Sequence, residues 1–157
     1  MSKNVENVLK TEDDSKLCSE LFELILKHYN EDFDLSGCKE EDQVIILIWH
    51  ASGIIDNGGF QYLFEGDFKG DPGFAKTLAA YKAIKATKCA EAIEEALALF
   101  PGSKLPPNIE KRLKVYQTVS AAKRRVIDWK FFDESKDIAT ILAKYIRDNH
   151  DEFKHLK

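Results

Sequence analysis

Histidines, cysteines and a spread of carboxylates are the side chains whose types could do chemistry in this 157-residue chain. Glu152-x-x-His155 places a carboxylate and an imidazole on one helical face, the spacing of carboxylate-bridged di-metal bundles. Those sites need a second such pair and two further glutamates; this sequence has one pair, close to the chain end, where fraying is expected. His50 follows Trp49 in an apolar run, with Asp56 and Gln61 downstream as partners for a buried base. A single backbone carbonyl would satisfy it equally well. His28 closes an apolar stripe near a helix C-terminus, where partial positive charge is welcome. Cys18, Cys38 and Cys89 are odd in number and lack Cys-x-x-Cys spacing, so they read as reduced, partly buried thiols. No zinc-protease, nucleophile-elbow, phosphate-loop or dinucleotide pattern occurs. Asp67 and Asp71 lack the ligand density of a calcium loop. The expectation is no metal, no cofactor and no catalytic residue.

The elements that would position these groups are organised around Val44-Ile45-Ile46-Leu47-Ile48-Trp49. Six apolar residues could be a buried strand or an all-round apolar helix. The apolar character continues through Ala51, Ile54 and Ile55, about 17 residues from Lys39, which suits a helix rather than a strand. Glu40, Glu41 and Asp42 sit where negative charge favours a helix start, with Ser36 or Cys38 ahead as cap. Asn57-Gly58-Gly59 is the natural stop, and Phe60 to Glu65 reads as a short second helix leaving at an angle. The hinge is either the close meeting point of two helices or a binding loop with exposed amides.

Residues 1–11 read as a flexible N-terminus and 12–157 as one helical domain, long enough to bury a real core. Leu17, Leu21, Leu24 and Ile25 form the stripe of an amphipathic helix from about Glu12 to Tyr29. Asp71 with Pro72 predicts a helix start, and Thr87 another. The Pro101–Pro107 segment is a stiff corner. Asn108 caps a helix running through Tyr116 to Ile127, and Asp133 or Ser135 caps the last. The expected fold is all-α, a single compact orthogonal bundle of about seven helices. No apolar run is long enough for a membrane span, and the first residues lack a signal-peptide core, so the expected compartment is the cytoplasm.

Net charge is −4, with 44% apolar and 32% charged residues. Residues 1–71 hold 16 acids and 6 bases (−10); residues 72–157 hold 11 acids and 17 bases (+6). Such asymmetry can mark a partner surface, or cancel once the halves interleave. On the acidic side, Glu31, Asp32, Asp34, Glu40, Glu41 and Asp42 could imitate the charge spacing of DNA, one per about 1.7 Å of axis. On the basic side, Lys111, Lys114 and Arg125 share one helical face, but a pI near 5.6 argues against direct nucleic-acid binding.

The stretch Asp56-Asn-Gly-Gly-Phe-Gln-Tyr-Leu-Phe-Glu65 resembles a bacterial family of all-helical proteins of unknown function, the DNA-mimic protein (DMP) family. The family's mark maps onto Asn57, Gly58, Gly59, Phe60, Gln61 and Tyr62. The likeness spans about residues 12–153, with one residue fewer between Phe and Gln than the commoner pattern. The resemblance implies an all-helical fold and a member-type activity in which an acidic surface occupies a DNA-binding regulator. The leading expectation is a non-enzymatic, cytoplasmic, protein-binding domain, with homodimerisation compatible. Its partner-facing acids are those of residues 31–42. The alternative is a small-molecule binder or enzyme with a pocket built by His50, Asn57, Gln61 and Tyr62 around Gly58, Gly59 and Phe60.

Overall fold

Among the described residues of the computed structural model, 4–30 and 34–157, every regular element is helical. Eight α-helices follow in order: α1 (Val5–Leu9), α2 (Asp14–Tyr29), α3 (Glu40–Phe64), α4 (Ala75–Ala83), α5 (Thr87–Leu97), α6 (Ile109–Thr118), α7 (Ala121–Ser135) and α8 (Ile138–Asp148). Short 3-10 turns lie at Leu35–Gly37, Pro72–Phe74, Pro101–Ser103 and His150–Phe153.

The apolar run becomes the central helix. α3 packs against α2, α4, α6, α7 and α8, and Val44 to Ile48 are all buried. Where α3 is enclosed, over Val44–Ile48, it has no reason to show a polar face, which is why that run lacks helical periodicity. α5 carries its apolar stripe onto α7 and α4, and α2 packs on α8.

Five local expectations are corrected. The described part of the N-terminal segment is not loose: Val5 and Val8 of α1 are buried against α2, with Asn4 capping through Glu6 N–H. α3 is capped by neither Ser36 nor Cys38; Lys39 holds the cap position without a side-chain bond, and Ser36 instead bonds Asp34. Asp71 does serve a helix start, but α4 begins three residues beyond Pro72, with Phe74 in the cap position. Its carboxylate accepts from Lys76 N–H, Thr77 N–H and Thr77 Oγ, starting α4 after a 3-10 turn. The helix expected to run from Asn108 to Ile127 breaks at Val119, where Ser120 accepts from Lys123 N–H and begins α7. That break separates Lys111 and Lys114 on α6 from Arg125 on α7, so the three do not share a helical face. Finally, Asp137 precedes α8, leaving Asp133 and Ser135 to other partners.

No helix among the described residues is long and apolar enough to cross a membrane.

Candidate functional site

The hinge is built by the two glycines and by a carboxylate from another helix. Gly59 has φ 70° and ψ −168°, a region essentially closed to residues with a Cβ. A Cβ there would also lie 2.5 Å from Oδ2 of Asp128 on α7. Asp128 approaches that closely because its Oδ1 accepts the Phe60 N–H at 3.0 Å, supplying a cap to the second limb of α3 where the helical bonds restart. Burial pushes the Asp128 carboxyl up, opposed by the Phe60 N–H and by Arg124. Gly58 makes room for a ring: a Cβ would stand 2.2 Å from Tyr62. The kink swings Phe60 and Phe64 into an aromatic cluster, Phe60 on Phe131 and Phe64 on Phe100 and Tyr116, with ring centroids 5.1–5.6 Å apart.

The polar side chains around this hinge have local partners. His50 is exposed, with its ring edge-on to Phe68 at 4.7 Å, and desolvation lowers its pKa. Asn57 Nδ2 donates to Gly53 O, one turn back. Gln61 Nε2 donates to Glu65 Oε1. Tyr62 is half exposed over Gly58. Asp56 accepts from the Ser135 hydroxyl at 2.7 Å. Among the described residues no hydrogen bond or ring contact joins any two of His50, Asn57, Gln61 and Tyr62. Neither of two described clefts involves them. One, of about 570 Å³, lies between the 67–73 and 103–107 loops over Arg112; the other, of about 430 Å³, lies between the start of α3 and α4.

The acidic stretch divides. Glu31 and Asp32 lie outside the described residues. Asp34 is exposed, and the Ser36 N–H and hydroxyl hold its carboxyl below the ordinary range. Glu40 is exposed and Glu41 half buried. Asp42, expected to face a partner, is fully buried. Its Oδ2 accepts from Tyr29 Oη at 2.6 Å and meets His155 Nε2 at 2.7 Å. One turn into α3 the helix has rotated the third acid of the triplet inward, where only a hydrogen-bonded carboxylate is tolerated. The His155 that meets it comes from a tail that is packed rather than frayed, since Phe153 and Leu156 are buried. His28 stacks edge-on against both Tyr29 and His155. Glu152, the other half of the suspected ligand pair, is salt-bridged to Lys39. Burial, and then Glu41, Glu40, Glu152 and Asp42, push the Tyr145 phenol up to about 12. The carboxylates therefore gather at one corner, where α3 begins and the chain ends.

Two functional-looking groups were not legible in the sequence. Asp128 reads as one more acid on an amphipathic helix, and Arg112 as one more base. Arg112 is buried, donating to Pro106 O, Phe64 O, Gly66 O and Asp67, and so fastens the end of α3 to the following loops. The three thiols are buried, and desolvation pushes Cys18 up to about 12. Among the described residues no group of three or more His, Cys, Asp or Glu side chains is arranged to hold a metal ion.

A family model described as DMP19-like protein matches residues 36–149. The match includes the hinge and the Glu40–Asp42 triplet and leaves out Glu31, Asp32 and Asp34. No curated protein and no solved structure matches the chain.

Proposed function

The chain belongs to the DMP19-like family, and from that premise we propose that it is a non-enzymatic helical module that binds a basic DNA-binding protein through the acidic corner at the start of α3. The observation that carries this reading is the state of Glu40 and Glu41. Both reach solvent at the corner shared with Glu152, and neither forms an ion pair among the described residues. Carboxylates without an ion pair at a helix start present a phosphate-like potential to a cationic surface. Asp34 lies apart, on the turn before α3 beside Lys69 and Lys76. Binding of this kind is screened by salt, with a Debye length of about 8 Å at physiological ionic strength.

The hinge reading loses support by comparison, because a ligand pocket needs convergent polar groups and those around the hinge bond to their own neighbours. Its glycines and Phe60 serve the packing of α3 against α7.

The test is competition. Proteins captured by the chain at low salt are identified, and a captured DNA-binding protein is purified and bound to its own DNA. The wild-type chain is expected to displace that DNA, and Glu40→Gln/Glu41→Gln to need at least ~10-fold more protein, about 1.4 kcal/mol of binding. Asp42 stays out of the variant, since its loss would unsettle the fold. Equal displacement by the double variant, or capture that is indifferent to salt, would sink the reading.

A further inference from the structure

The cleft of about 570 Å³ over Arg112 is walled by two loops that hold strained backbone. Phe74 closes the first loop and Ser103 opens the second, both at positive φ, 64° and 57°. Side chains larger than glycine persist there where the surrounding structure over-determines them, as it does around binding sites. Phe68 and Leu105, both half-buried, line the space from opposite loops. His50 stands edge-on to the Phe68 ring at 4.7 Å and fixes its attitude. Arg112 is 2% exposed and still lines the cleft. A guanidinium carries five N–H donors. Nε gives one to Pro106 O, Nη1 one each to Phe64 O and Gly66 O, and Nη2 one to Asp67 Oδ1 at 2.9 Å. The second Nη2 hydrogen has no acceptor among the described residues. A buried donor without a partner is costly.

We propose that this cleft binds a small aromatic carboxylate, its anion held between the Lys104 ammonium and the remaining Arg112 N–H, its ring between Phe68 and Leu105. Small-molecule sites run about 300–1,000 Å³ and are mostly apolar, with a few polar groups that fix orientation. The charge balance selects the anion. Arg112 and Asp67 offset one another, and Lys69 acts on Asp34. Lys104 is exposed, lines the cleft and has no ion pair among the described residues. One positive charge therefore remains, which suits a monoanion better than a phosphate dianion. Asp67 shows what the guanidinium accepts, a carboxylate oxygen, and also opposes a second one by like charge. Removing the Asp67 charge while keeping its oxygen should therefore tighten binding, an effect that a merely structural aspartate would not give. Glu40, Glu41 and Glu152 do not line this cleft, so the site stands or falls separately from the proposed function.

Amide-resolved NMR of the full chain, titrated with 2-naphthoate, tests it. Saturable shifts are expected at residues 67–73 and 103–107, with a Kd at or below ~1 mM. 2-Naphthamide keeps the rings without the charge, and acetate keeps the charge without the rings; each should bind at least ~10-fold more weakly. Lys104→Gln, at an exposed position that leaves the fold intact, should weaken naphthoate at least ~10-fold and leave naphthamide unchanged. Asp67→Asn retains the acceptor for Nη2 and should tighten naphthoate by ~2-fold or more, the scale of an exposed charge interaction. No saturation below ~10 mM overturns the proposal. So do shifts centred elsewhere on the chain, naphthamide binding as well as naphthoate, indifference to Lys104→Gln, or an Asp67→Asn variant that binds naphthoate no better than the wild type.

Discussion

Two glycines of α3 that look alike in sequence have opposite roles. Gly59 sits at positive φ with Asp128 against the place a Cβ would take. Gly59→Ala is therefore expected to cost about 1–3 kcal/mol from backbone strain alone, read as a fall in the urea midpoint. Gly53 has open space around its Cβ position and ordinary helical backbone. Gly53→Ala should raise stability by about 0.4–1 kcal/mol, because alanine restricts the unfolded chain. Equal effects at the two sites would refute the cap geometry. Asn-Gly-Gly marks a hinge from residue types alone, but it does not say which glycine is indispensable, since that depends on a carboxylate 69 residues later in the chain. The same limit applies to Asp42. In sequence it is the third of three acids; in the fold it meets Tyr29 and His155. Asp42→Ala removes both contacts and should cost about 1–3 kcal/mol, whereas Glu40→Gln should change stability little.

At the scale of elements, α7 determines the course of α3 through Asp128. The folded-state pKa of this carboxyl is raised by burial, so the native state binds its proton more tightly than the unfolded chain does. The linkage sign follows: stability contributed by Asp128 falls as pH rises from the ordinary carboxylate value, 3.8, through its higher folded value. Asp128→Asn keeps an acceptor for Phe60 N–H and removes the titration. The wild type should lose stability relative to that variant as acid solutions are raised towards neutrality, measured by urea titrations at matched pH. A pH-independent difference would mean that the carboxyl is not desolvated at the hinge. The helices that face the core on one stripe, α2 and α5, are legible from periodicity. The break before Ser120 is not, because Thr118-Val119-Ser120 contains neither glycine nor proline and only the serine is a strong cap. Ser120→Ala should cost about 1 kcal/mol, the usual loss of an N-cap, with Arg124 Nε to Val119 O holding part of the corner.

At the scale of the whole molecule, the −10 and +6 halves do not form two opposed poles, because folding threads one through the other. Arg147 of α8 pairs with Asp14 of α2, Lys39 with Glu152 and Arg112 with Asp67. The sequence shows the imbalance but not the cancellation, which depends on the C-terminal tail returning to the start of α3. The exposed Lys39–Glu152 pair, the salt bridge at the tail, contributes about 0–1 kcal/mol, so surface charge is a poor candidate for what fixes the tail. Its apolar anchors are better ones: Phe153 is fully buried and Leu156 nearly so. Phe153→Ala should therefore cost about 3–5 kcal/mol, as a large-to-small change in a packed core does. Lys39→Gln, which removes the salt bridge to Glu152, should cost less than about 1 kcal/mol. Urea unfolding of the two variants decides between these terms. If the Lys39 variant proved the less stable one, the tail would be held electrostatically, and the acidic corner would have to be redrawn as one half of an internal charge pair rather than a surface open to a partner.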